Sequence, residues 1–117
     1  MRSFCNQFMD KALGYLSLAS KAGKLICGAD QCIDALKRGK AKLIVLASDA
    51  SDNAQKRADG MLYGRSVPLC RCAYTKTELA CAVGANGPVA IAAVCDEGLA
   101  RAFAANAGTE TKNEEDL

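Results

Sequence analysis

Apolar residues recur every three or four positions from Phe4 to about Ala22. Met9, Ala12, Leu16 and Ala19 form one stripe and Asp10 and Lys11 lie off it, which predicts an amphipathic helix ended by Gly23. Leu25, Ile26 and Cys27 then predict a short strand broken at Gly28. A second helix follows, with Ala29, Cys32, Ile33 and Leu36 as its buried stripe and Gly39 as its stop. Leu43 to Ala47 is apolar without alternation, as expected of a central strand covered on both faces. Lys21 to Ser51 therefore reads as one βαβ unit, around which the chain is organised.

Beyond it, Ser51 or Asp52 is placed to cap a third helix, with Ala54, Ala58 and Met61 on its inner side and Gly60 as a late interruption. Val67 to Cys72 alternates and contains Pro68, so it predicts a peripheral strand. Thr75 and Glu78 have capping-box spacing ahead of a helix that buries Leu79, Ala82 and Val83 and stops at Gly84. Val89 to Cys95 predicts a second buried strand, and Asp96 opens a last helix burying Leu99, Ala102 and Phe103. Helices alternating with strands imply an α/β fold, a three-layer α/β/α sandwich around a four-stranded sheet.

Composition narrows the class. A chain of 117 residues, 50% hydrophobic and 24% charged, is sized for one domain with one core, and with no Trp and 5% aromatics that core must be aliphatic. Residues 1–108 are assigned to the domain. The segment 109–117 sets Lys112 against Glu110, Glu114, Glu115 and Asp116 and reads as a disordered acidic tail. The net charge of +2 thus conceals a more basic body, compatible with an anionic partner.

The start MRSFCNQFMDK lacks the apolar block of a signal peptide, and no run of about 18 or more uncharged apolar residues occurs. A cytoplasmic protein with no membrane partner is expected. The seven cysteines fall inside predicted helices and strands, which suggests reduced thiols packed as small hydrophobes.

Candidate chemistry is sparse. Cys70-x-Cys72 and Cys27-x4-Cys32 are not paired metal knuckles, and His is absent, so no metal site and no cofactor are expected. A nucleophilic Cys or Ser would lack the usual base, and Gly23, Gly28 and Gly39 form no phosphate-binding motif. The rim of the central unit says more: Gly28 turns the chain into a helix whose first N–H groups point outward, beside Asp30 and Gln31. Lys24 precedes this turn, and Lys37, Arg38, Lys40 and Lys42 follow. Residue chemistry alone also allows the plainer reading of an ordinary helix start, with Asp34 and Arg38 as a surface ion pair.

The spacing of Leu13-Gly14, Leu18-Ala19, Lys21-Ala22-Gly23-Lys24-Leu25, Gly28, Ala35-Leu36, Gly39-Lys40-Ala41-Lys42-Leu43, Ala47, Asp49-Ala50-Ser51, Asn53, Val67-Pro68, Thr75-Lys76, Glu78-Leu79, Gly84 and Asp96-x-Gly98 resembles the kink-turn RNA-binding ribosomal-protein family of the L7Ae and L30e types. It is most similar to the small bacterial YlxQ branch, from Phe8 to Phe103. The resemblance implies an L30e-like sandwich that binds kink-turns, RNA duplexes sharply bent beside tandem sheared G·A pairs. It places Gly28, Ala29, Asp30 and Gln31 in the groove at those pairs, with Asp34 one turn on. It also places Asp49 and Ala50 on one side of a flipped-out base and Ala73, Tyr74, Thr75 and Lys76 on the other. Lysines including Lys24 and Lys37 are expected on phosphates.

Archaeal members carry Asn, Glu and Lys at the positions of Asp30, Gln31 and Asp34. Their donor and acceptor roles would then be exchanged here, Gln31 reading guanine O6 and Asp30 accepting from N1–H. The function implied is non-catalytic RNA binding linked to ribosome or translation, with ribosomal RNA among the partners. The alternatives are a protein-interaction module of the translation apparatus that kept the fold, favoured by Asp30 and Asp34, and the recruiting domain of an RNA-modifying enzyme.

Overall fold

The computed structural model of the protein describes residues 11–106. Their order is α1 (Lys11–Lys21), β1 (Leu25–Cys27), α2 (Ala29–Lys37), β2 (Leu43–Leu46), α3 (Asp52–Leu62), β3 (Leu69–Arg71), α4 (Lys76–Val83), β4 (Ile91–Val94) and α5 (Glu97–Asn106). The expected helix start at Phe4, Met9 of its stripe, Cys5 and the acidic tail lie outside the described residues.

The sheet order is β1-β4-β2-β3. The two fully apolar strands, β2 and β4, occupy the middle, and all their residues are buried. β3 is an edge strand, as alternation and Pro68 predict; Pro68 has no N–H to give, but its carbonyl accepts from Ile44 N–H at 3.0 Å. Helices α1, α4 and α5 pack together, as do α2 and α3, which makes the three layers.

The βαβ unit is split. β4 lies between β1 and β2 and runs antiparallel to both, so β1 and β2 are parallel without pairing. An apolar run from the far end of the chain fills the gap, a pairing that no local pattern in Lys21–Ser51 encodes.

Burial follows the stripes with small rotations. Leu16 and Phe103 are fully enclosed, and Cys32, Ala35 and Leu36 form the inner side of α2. Ala29 and Ile33 are only half-buried, and Ala35 lies inside instead, because α2 rests against β1, β4 and α3 together. In α5 the buried residues are Ala100 and Phe103, with Leu99 and Ala102 half-buried. Cutting Phe103 to Ala would cost about 3–5 kcal/mol. Cys32, Cys70 and Cys72 are core residues as expected, but Cys81 is exposed on α4.

Some element boundaries differ from expectation. Gly60 does not interrupt α3, which continues to Leu62 before the chain turns at Tyr63 and Gly64. The strands are shorter than the apolar runs: Val67 and Pro68 precede β3, and Val89 and Ala90 precede β4. These flanking residues form loops at the two ends of the sheet.

Candidate nucleic-acid interface

The C-terminal ends of β1, β2 and β3 and the N-terminal end of β4 lie together, so four connections share one rim: Gly28, residues 47–51, residues 72–75 and residues 85–90. Backbone bonds tie them into one unit. Gly28 N–H donates to the Ile91 carbonyl at 3.0 Å, Ala47 N–H to Ala90 at 2.9 Å, Ser48 N–H to Tyr74 at 2.8 Å and Val89 N–H to Lys76 at 3.2 Å.

At the start of α2, Gly28 adopts φ 99° and ψ 142° and, having no side chain, provides no cap bond. The first helical bond runs from Cys32 N–H to the Gly28 carbonyl at 2.9 Å. The Gln31 side chain folds back over this turn so closely that a Cβ on Gly28 would lie 2.7 Å from Gln31 Oε1. Glycine suits this position for its positive φ, and a Cβ there would also make the end of the Gln31 side chain move.

Asp30 is not alone. Arg57 of α3 reaches across and places Nη2 2.7 Å from Asp30 Oδ1; Arg57 is 44% exposed and Asp30 87%. Asp34 pairs with Arg38 at 3.0 Å, the spacing expected from the sequence. Each carboxylate of this turn therefore has its own guanidinium.

A cleft of about 510 Å³ opens here, lined by Gly28, Ala29, Gln31, Asn53, Arg57 and the loop Ala85–Ile91, among others. The starts of α2 and α3 both border it, and Ser51 Oγ caps α3 by accepting from Ala54 N–H at 3.1 Å. Two helix N-termini and one arginine make it favourable for electronegative groups.

The other expected loops also meet. Asp49 Oδ1 accepts from the Lys76 N–H at 2.8 Å, beside the reciprocal capping box in which Glu78 N–H donates to Thr75 Oγ1 at 3.1 Å and Thr75 N–H to Glu78 Oε1 at 2.8 Å. Ala73 is exposed, and Thr75 and Lys76 are half-buried. Ala50 and Tyr74, however, are buried; the Tyr74 ring packs 6.5 Å from that of Phe103. Their side chains support the loops from within.

Lys24 and Lys37 are separated from this rim. Lys24 precedes β1 and so lies at the opposite end of the sheet, and Lys37 is in the last turn of α2, about 12 Å along the helix from Ala29. Lys24 stands close to Gly28 in sequence, yet the three residues of β1 carry the chain across the sheet between them. Missed by the sequence reading were Arg57, Asn53 as a lining residue, and the loop Ala85–Ile91. The Asn86-Gly87-Pro88 turn was visible as a loop signal, but nothing local to it indicated which rim it joins.

Among the described residues no group of three or more His, Cys, Asp or Glu side chains could hold a metal ion. No helix among them is long and apolar enough to cross a membrane. Burial pushes the Cys32 and Cys70 thiols up to about 12, far from a reactive thiolate.

The sequence matches the profile of the ribosomal protein L7Ae/L30e/S12e/Gadd45 family over residues 10–104. The chain belongs to this family. Among its L7Ae/L30e relatives, it is 32% identical over 91 residues to the RNA-binding protein YlxQ of Enterococcus faecium, covering 78% of this chain and 85% of that one. It is 34% identical over 89 residues to the large ribosomal subunit protein eL30 of Methanosarcina mazei, covering 76% and 82%. A solved structure from Bacillus halodurans, described as a protein with unknown function, superposes with a TM-score of 0.74 at 28% identity over 82% of this chain and 95% of that one. The Giardia lamblia 15.5kD RNA binding protein shares the fold with a TM-score of 0.66 at 21% identity, over 80% and 78%.

Proposed function

We propose that this protein is a non-catalytic RNA-binding protein, associated with the ribosome or translation, whose rim recognises kink-turn RNA. The observation that carries the reading is the convergence of the α2 start, Arg57 and the loop Ala85–Ile91 around one cleft, with Asp30 held by Arg57. RNA binding is supported by the likeness to the RNA-binding protein YlxQ and to the ribosomal protein eL30.

In this reading the first turn of α2 enters the groove at the sheared G·A pairs. The Gln31 carboxamide reads guanine O6, and the backbone N–H groups of the turn add a favourable dipole. Arg57 occupies Asp30 Oδ1, which leaves Oδ2 to accept from guanine N1–H. The Arg57–Asp30 and Arg38–Asp34 pairs also offset the two carboxylates that would repel phosphates, the feature that favoured a protein-interaction module. On the other side, Asp49 fixes Lys76, and the loops 47–51 and 72–75 hold an unstacked base through backbone groups and Thr75.

Amide shift mapping with a kink-turn RNA tests the placement. Shifts should concentrate at Gly28, Ala29, Gln31, Asn53, Lys76 and residues 85–91. Shifts confined to other surfaces would refute the assignment of the rim.

A further inference from the structure

The opposite end of the sheet has a different charge. Register sets Leu25 and Leu43 on either side of Val94. One residue further out, the Cys95 N–H donates to the Lys24 carbonyl at 2.7 Å, and the Lys42 N–H donates to the Val94 carbonyl at 2.8 Å. With strands about 4.8 Å apart, the backbones of Lys24 and Lys42 stand about 10 Å from each other across β4. Lys40 joins them from the end of α2, where its N–H bonds the Ala35 carbonyl at 2.9 Å. All three lysine side chains are exposed. Their charges also meet at one point: burial raises the Cys95 thiol most, while Lys40, Lys24 and Lys42 pull it down.

Little opposes this charge. Asp96 caps α5 by accepting from Leu99 N–H at 2.8 Å, and Glu97 pairs with Arg101 at 2.8 Å. Among the described residues Arg38, Arg57, Arg71 and Arg101 each have an acidic partner, whereas none of the lysines does, Lys24, Lys40 and Lys42 included. Lys42 also borders a cleft of about 660 Å³ shared with Arg65, Gly39, Gly64 and Glu97. The exposed large hydrophobics of the described residues, Leu18 and Tyr63, do not line it.

We infer that this end is a second RNA surface, where Lys24, Lys40 and Lys42 hold phosphates of a duplex segment other than the one in the rim. Lysine suits that task as a mobile point charge that binds phosphate without reading bases. One molecule then joins two RNA segments across the length of the sheet. The inference rests on RNA as the partner proposed above, but not on which RNA shape the rim reads.

The test immobilises kink-turn RNA, saturates it with full-length protein and adds a labelled, fully Watson–Crick RNA duplex. Wild-type complexes should retain the duplex. Replacing Lys24, Lys40 and Lys42 together by Ala should leave kink-turn affinity within about twofold, weaken duplex capture tenfold or more and lower its salt slope by about 2 to 3. Gln31→Ala should do the reverse. The inference is overturned if the wild-type complex captures no duplex, or if a poly-glutamate peptide binds the patch as tightly as the duplex does. Should the rim fail to bind kink-turns at all, the free protein still gives an answer: plain duplex must shift the amides of Lys24, Lys40, Lys42 and Cys95, and unmoved amides there also overturn it.

Discussion

Arg57 Nη2 lies 2.7 Å from Asp30 Oδ1, joining the first turn of α2 to the middle of α3 across the mouth of the cleft. Exposed pairs of this kind contribute about 0.2–1 kcal/mol to folding, so the contact matters more for what it does to the charge of the rim than for stability.

Arg57→Ala should therefore melt almost as the parent does, yet weaken RNA binding by about tenfold, equivalent to about 1.4 kcal/mol, by exposing Asp30 to the phosphates. Asp30→Asn in the same background should recover part of the loss. Fluorescence anisotropy on the four members of the cycle measures it; additive effects would mean that the pair does not act as a unit.

Gln31→Ala removes an exposed side chain and should leave the melting temperature unchanged. Affinity for RNA with sheared G·A pairs should fall by about 1–3 kcal/mol, the usual value of a specific base contact, with little change for a plain duplex. An equal loss for both RNAs would refute base reading by this residue.

Gly28→Ala should disturb both structure and binding. Its φ of 99° is strained for any residue with a Cβ, and that atom would lie 2.7 Å from Gln31 Oε1. A loss of about 1–3 kcal/mol in denaturant unfolding is expected, together with a displaced Gln31 and weaker RNA binding. Unchanged stability would show that the turn relaxes.

Alkaline pH should destabilise the fold. Burial raises Cys32 and Cys70 from an ordinary 9.0 to about 12, so between these values the unfolded chain releases protons that the folded chain retains. Their contribution is fully present below pH 9 and is lost as pH rises towards 12. Denaturant midpoints measured across this range should fall, and the double variant Cys32→Ala, Cys70→Ala should show a flatter decline.

The elements were legible because their signals are local. The capping box of Thr75 and Glu78, the Ser51 cap and the two apolar runs of β2 and β4 all appear where short-range chemistry places them. Strand order was not legible, because insertion of β4 between β1 and β2 depends on contacts between distant segments. The same limit explains the site: Gly28 and Gln31 could be singled out at a helix start, whereas Arg57 becomes part of it only through the packing of α2 on α3. Tyr74 is the converse case, an aromatic in a candidate binding loop whose ring is used by the core.

The most direct test of the central claim is a titration of one kink-turn RNA against the same RNA with its G·A pairs replaced by Watson–Crick pairs, at two salt concentrations. Recognition by the rim predicts tighter binding of the kinked RNA at both salts, with a ratio that persists when phosphate contacts weaken. Equal affinity for the two RNAs, falling steeply with salt, would mean that only charge holds them and would contradict the account.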